Sequence, residues 1–134
     1  MVVAELFASS LRMAVPILIT AIGAVFTERS GIVNIGLEGM MIVGSFWASV
    51  GAYYYGPIMG LFSAMIAGAF LALIHSIITV TFRVNQVVSG VALNILAYGS
   101  SRFLCLLIFG KATTSHHVSG FTTVDIPGLS DIAF

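Results

Sequence analysis

The stretch FTERSGIVNIGLEGMM, Phe26 to Met41, sets Glu28, Arg29, Asn34 and Glu38 between two apolar runs of a chain that is 59% hydrophobic and only 7% charged. Ionisable residues at membrane depth usually mark a solute or ion path. The apolar run before them ends early, after Gly23, and Ser30, Gly31, Asn34, Gly36 and Gly39 interrupt the chain before a new helix settles. Two readings fit. In one, the stretch is a broken helix, tolerated at membrane depth only where protein buries it or water lines it. Glu38 then occupies the first turn of the second helix, where the dipole favours a carboxylate, and Asn34 caps that turn. In the other, Thr27 to Asn34 is an ordinary cytoplasmic loop, Glu28 and Arg29 are solvated, and Glu38 snorkels to the headgroups.

Composition fixes the solvent. A mean hydropathy of +1.11, with five Lys+Arg against five Asp+Glu in 134 residues, leaves too little polar surface to cover a water-soluble globule. Zero formal net charge offers neither a nucleic-acid footprint nor attachment to anionic lipids. A helix needs about 20 mostly apolar residues to cross hydrocarbon, and residues 6–26, 35–55, 57–82 and 84–109 supply them. The expected fold is therefore an all-α polytopic membrane protein, a single domain with about four hydrophobic helical segments. It carries a broken or re-entrant element near residues 27–39, and residues 110–134, rich in Thr, Ser, His and Gly, form an external loop. The N-terminal MVVAELFASS lacks the positive n-region and small-residue cleavage site of a signal peptide, so the first run is expected to be retained.

Orientation and packing follow. Tyr53, Tyr54 and Tyr55 before Gly56-Pro57 read as a turn at the headgroup level. Arg29 and Arg83 fall at the opposite turns, which the positive-inside bias assigns to the cytoplasm, although Lys111 lies on the other side. Gly60, Ala64, Gly68, Ala72 and Ser76 recur every fourth residue, a ridge on which another helix backbone can approach closely. Such a ridge drifts about 40° per step, which suits a crossed neighbour. Gly36, Gly44, Ala48, Ala52 and Gly56 make a comparable stripe in the second run, the expected partner.

In the fourth run Gln86, Gly90, Asn94, Tyr98 and Arg102 also recur every fourth residue, with Ser89 and Ser101 beside them. They are either the polar lining of a passage or interhelical hydrogen-bonding groups. Arg102 needs an acid such as Glu38 or a route to the outer interface. His75, alone on an apolar face, reads as a packing residue. His116 and His117 lack a spaced third ligand, and Cys105 has no cysteine to pair with, so no metal site is expected. Gly110-Lys111-Ala112-Thr113 lacks the residues of a phosphate loop, and no catalytic triad or paired carboxylates stand out.

TERSGIVNIGLEGMMIVGSF at 27–46 closely resembles a signature of permease subunits of bacterial ABC importers for nucleosides and simple sugars, in the wider group that includes branched-chain amino acid permeases. NQVVSGVALNILAYGSSRFL at 85–104 is similar to a second block of the same permeases, and IPGLSDI at 126–132 resembles the external segment that follows. Such permeases are much longer, so the chain looks like the N-terminal portion of one. The resemblance implies a multi-pass inner (plasma) membrane subunit that needs no cofactor and is not itself an enzyme. Its partners would be a second permease subunit, ATP-binding subunits that hydrolyse ATP, and an external substrate-binding lipoprotein facing residues 110–134. On the same resemblance, Asn34, Glu38, Gln86, Ser89 and Asn94 belong to the translocation path. Two rivals stay open: a proton-coupled secondary transporter with Glu38, His75 and Arg102 as relay, and a non-transporting membrane scaffold.

Overall fold

A computed structural model describes residues 2–118, 120 and 121. The IPGLSDI block at 126–132 and most of the expected external loop lie outside them. Among the described residues the regular structure is all helical: α1 (Val2–Arg29), α2 (Leu37–Tyr55), α3 (Pro57–Ser76) and α4 (Gln86–Phe109), with a π-helical turn, Ile77–Thr81, continuing α3. Three helical stretches, Glu5–Arg29, Pro57–Thr81 and Gln86–Phe109, are long and apolar enough to cross a membrane. The second run, expected to qualify as well, has the length but is diluted by Glu38, its glycines and serines, and Tyr53 to Tyr55. It is also the central helix, packed between α3 and α4, and so has less surface to offer lipid.

The first helix runs past its expected end. Gly23 has open space around it, and a lone glycine costs a helix only about 1 kcal/mol, so the helix continues through Thr27 and Glu28 to Arg29. Arg29 in the last turn complements the dipole. The hydroxyls of Ser10, Thr20 and Thr27 donate to the carbonyls of Leu6, Pro16 and Ala24 at 2.8 Å each, which satisfies them within the helix. The irregular segment is thus confined to Ser30–Gly36, with the chain turning at Gly31 (φ +85°). Among the other helices α1 approaches only α2.

A single residue, Gly56, separates α2 from α3. Its φ of 91° and ψ of 171° lie in a region essentially reserved for glycine, and Pro57 starts α3 at the position where its missing N–H is harmless. Beyond this hinge the backbones nearly touch. A Cβ on Gly60 would stand 2.7 Å from the Ala48 carbonyl oxygen, and one on Gly51 would collide with the Ser63 hydroxyl, which donates to the Trp47 carbonyl at 2.7 Å. The helices then diverge. Gly44 would place a Cβ 3.7 Å from the Ala64 carbonyl, and Gly68 meets nothing within 4 Å.

The fourth helix packs along α2 through two small apolar clusters. Phe46, Cys105 and Phe109 form one, and Leu71, Leu93 and Ala97, with Met40 and Val43 beside them, form the other. Most other large apolar side chains face outward, as suits helices whose surroundings are lipid. The run at 57–82 does not stay α-helical to its end. Ile77, Ile78, Thr79, Val80 and Thr81 are all β-branched and crowd the preceding turn, and the Thr79 hydroxyl pulls onto the His75 carbonyl at 2.8 Å.

Gly60→Ala forces a methyl against the α2 backbone and is expected to cost about 1–3 kcal/mol, whereas Gly68→Ala is neutral or stabilising. Thermal melts of the detergent-solubilised protein check the pair: equal midpoints would rule out this approach of α2 and α3.

Candidate functional site

An irregular backbone needs partners, and the first half of α4 supplies them. The Gln86 amide oxygen accepts from the Val33 N–H at 2.7 Å, and its nitrogen donates to the Gly31 carbonyl at 3.3 Å. Two turns on, the Asn94 oxygen accepts from the Gly39 N–H at 2.7 Å, and its nitrogen donates to the Ile35 carbonyl at 3.1 Å. Ile35 and Gly39 are four apart, so this amide occupies the place of an ordinary helical hydrogen bond. It satisfies a donor that the start of α2 leaves over. Gly90, between the two amides, lets the chains meet: a Cβ there would lie 2.9 Å from the Gly36 nitrogen and 3.1 Å from the Ile35 Cβ. Asn85 fixes where α4 begins by accepting from the Val87 and Val88 N–H groups at 2.9 and 3.3 Å.

Asn34 joins this clamp from the other side. Its oxygen accepts from the Gly36 N–H at 3.0 Å and its nitrogen lies 3.6 Å from the Met40 sulfur. It folds the approach to α2, while Gly36 itself is the N-cap. Glu38 stands apart. It occupies the first turn of α2 as expected, but its side chain is exposed. Ser89 is also drawn elsewhere, into contact with His75: Nδ1 of the imidazole lies 3.0 Å from the serine oxygen, and both residues are buried. Arg102 pairs with neither Glu38 nor any other acid among the described residues. Its Nη1 donates to the Tyr98 hydroxyl at 3.2 Å, and its guanidinium lies 5.4 Å from the Tyr98 ring centroid.

Of the five residues expected on a path, Asn34, Gln86 and Asn94 thus meet at one irregular segment, and Glu38 and Ser89 do not join them. Of the expected helix-packing ridge, Gly60 and Ala64 lie against α2, and Gly68 has open space.

The polar strip of α4 does not end at Asn94. Its second half, Tyr98, Ser101 and Arg102, lines an open groove of about 380 Å³ against Ser45, Phe46 and Ser49 of α2. Ala112, Thr113 and Ser115 edge the groove. Sequence reasoning singled out Tyr98, Ser101 and Arg102 but had no signal for their partners on α2, since isolated serines in a helix are silent. Beside this end, Phe109 stacks edge-on to Tyr53 at 5.6 Å, and His116 lies 5.6 and 5.7 Å from Tyr53 and Phe109. The groove therefore opens at the tyrosine-turn end of the helices, opposite the clamp.

Apolar helices of membrane-spanning length, an irregular connection held by side-chain amides of a neighbouring helix and a hydroxyl-lined groove define a multi-pass membrane protein. The chain belongs to the family of permease components of the branched-chain amino acid transport system, whose model matches residues 6–130. It is 46% identical over 131 residues to the guanosine ABC transporter permease protein NupQ of Bacillus subtilis, covering 92% of this chain and 41% of NupQ. It is 37% identical over 135 residues to the nucleoside ABC transporter permease protein NupC of Lactococcus lactis, covering 93% of this chain and 41% of NupC. A Haloferax volcanii permease, TsgC13, provisionally named for glucose, is 31% identical over 129 residues, covering 92% of this chain and 36% of TsgC13. The chain thus spans 41% or less of the length of these three relatives. No solved structure matches it significantly. The family expected from the blocks at 27–46 and 85–104 is the family found.

Gly90→Ala is expected to push the Gly31–Gly36 segment off α4, raising its protease sensitivity and costing about 1–3 kcal/mol. Gly99→Ala, which meets nothing within 4 Å, is the control and should leave both unchanged. Equal digestion of the two variants would show that the close approach does not hold the segment.

Proposed function

We propose that this chain forms part of the permease subunit of an ATP-driven importer in a bacterial inner membrane, carrying a nucleoside or a simple sugar. The observation that supports this most is the 46% identity to a guanosine permease along 92% of the chain. On this reading the subunit pairs with a second permease, ATP is hydrolysed on separate ATP-binding subunits, and an external substrate-binding lipoprotein delivers the solute at the 110–134 side. The chain itself performs no covalent chemistry. Its work is alternating access, in which ATP binding elsewhere favours one packing of the permease pair over the other through contacts that differ between them.

The Ser30–Gly36 segment and its clamp would then stand at the cytoplasmic end, and the groove at the outer end. Arg83 supports that orientation. It holds a left-handed backbone (φ 52°), and its charge falls on the side that the positive-inside bias assigns to the cytoplasm. Asn34, Gln86 and Asn94 shape the path by holding its wall, and Glu38 contributes an exposed carboxylate at its inner mouth. The proton-coupled alternative loses support because its three relay residues are dispersed. His75 is engaged by Ser89 and Arg102 by Tyr98, and Glu38 is exposed.

Uptake by the assembled transporter should therefore stop on ATP depletion and persist with a protonophore; the reverse would favour the secondary transporter. In a Cys105→Ala background, Thr114→Cys should react with an impermeant thiol reagent from outside and Arg83→Cys should not. Labelling of Arg83→Cys alone would invert the topology.

A further inference from the structure

The groove between α2 and the second half of α4 has a chemistry of its own. Its lining contains no acid and no lysine, and its one charged group, Arg102, already leans on Tyr98. It therefore disfavours a cationic solute. The hydroxyls of Ser45 and Ser49 donate to the carbonyls of Ile42 and Ser45, at 2.8 and 3.0 Å, and so keep lone pairs to accept from a ligand. Arg102 offers the opposite: beyond the bond from Nη1 to Tyr98, its remaining N–H groups can only donate. Apolar wall lies between them, from Phe46, Cys105 and Phe109.

Ser101 marks the floor. It is 7% exposed, and its hydroxyl is buried without any hydrogen-bond partner among the described residues. The adjacent Ser100 hydroxyl, by contrast, donates to the Ala97 carbonyl. Leaving a buried hydroxyl unpaired costs about 1–3 kcal/mol, and such orphans call for a missing partner. The groove volume, about 380 Å³, falls within the usual range for small-molecule sites of about 300–1,000 Å³.

We propose that this groove is a contact site for a nucleoside within the outer half of the translocation path. Ser45 and Ser49 engage the ribose hydroxyls, and the Ser101 hydroxyl, hidden beneath the groove surface, joins them by rotating about χ1; Arg102 engages an acceptor edge of the base, and Phe46 and Phe109 cover its apolar face. A monosaccharide would satisfy the serines but leave the aromatic wall and Arg102 without partners. The assignment deepens the permease reading and rests on it.

The test uses the complete transporter containing this chain, with guanosine and glucose as probes. In a Cys105→Ala background, Ser49→Cys should react with a small maleimide, and guanosine, not glucose, should slow that reaction. Ser101→Ala should lower guanosine uptake at substrate well below saturation about tenfold, the scale of one lost hydrogen bond, while Ser100→Ala matches the parent protein. An assembled Ser101→Ala transporter with parental uptake, together with no protection of Ser49→Cys, would overturn the groove assignment and leave the permease reading standing. Protection by glucose alone would overturn the nucleoside assignment. A parent complex that imports neither nucleoside nor sugar under ATP would overturn both.

Discussion

Irregular backbone in a membrane protein needs hydrogen-bond partners that a helix would supply for itself, and the amides of Gln86 and Asn94 provide four of them along the segment joining α1 to α2 and at the start of α2. Each acts in both senses at once, donating to one backbone carbonyl and accepting from one backbone N–H. Gly90 between them permits the contact distance. The register of α4 against α2 follows from this attachment, and with it the pairing of Leu93 and Ala97, then Cys105 and Phe109, with the apolar side chains of α2 and α3. Displacing the segment would move the helix start that Asn94 caps and the apolar contacts beyond it.

One stripe of α4 thus serves two ends. The residues from Gln86 to Asn94 are consumed in holding protein together, and Tyr98, Ser101 and Arg102, continuing at the same spacing, line a groove with unspent hydrogen-bonding capacity. The change comes where the connecting segment gives way to the regular helix of α2. A regular helix satisfies its own backbone, so it asks nothing of the side chains opposite. Polar groups on α4 there are left facing one another across open space instead of being absorbed by main-chain partners. His75 and Ser89 form a separate buried contact, placed where α3 passes from α-helix into its π-helical turn.

The helix count, the break at Gly56 and the family were legible in the letters, because hydropathy and the motifs at 27–46 and 85–104 are properties of contiguous sequence, whereas Tyr53 to Tyr55, expected in that turn, complete α2. The ends of elements were less so. Thr27, Glu28 and Arg29 read as the start of a break, yet they complete α1, since polar residues are acceptable in the last turn and the break itself needs only Gly31. The ridge from Gly60 to Ser76 was visible as a spacing, but spacing does not say where two helices diverge. The hinge at Gly56 brings Gly60 against α2 and leaves Gly68 open.

By itself, then, the sequence determined that the chain lives in a bilayer, that it is helical, and that Gln86, Asn94, Tyr98, Ser101 and Arg102 share a side of one helix. These follow from composition and from a 3.6-residue repeat, both local. Only the tertiary structure decided which of those polar groups are spent and which are free. That depends on what stands opposite each one: irregular backbone beside Gln86 and Asn94, an intact helix bearing Ser45 and Ser49 across from Ser101 and Arg102.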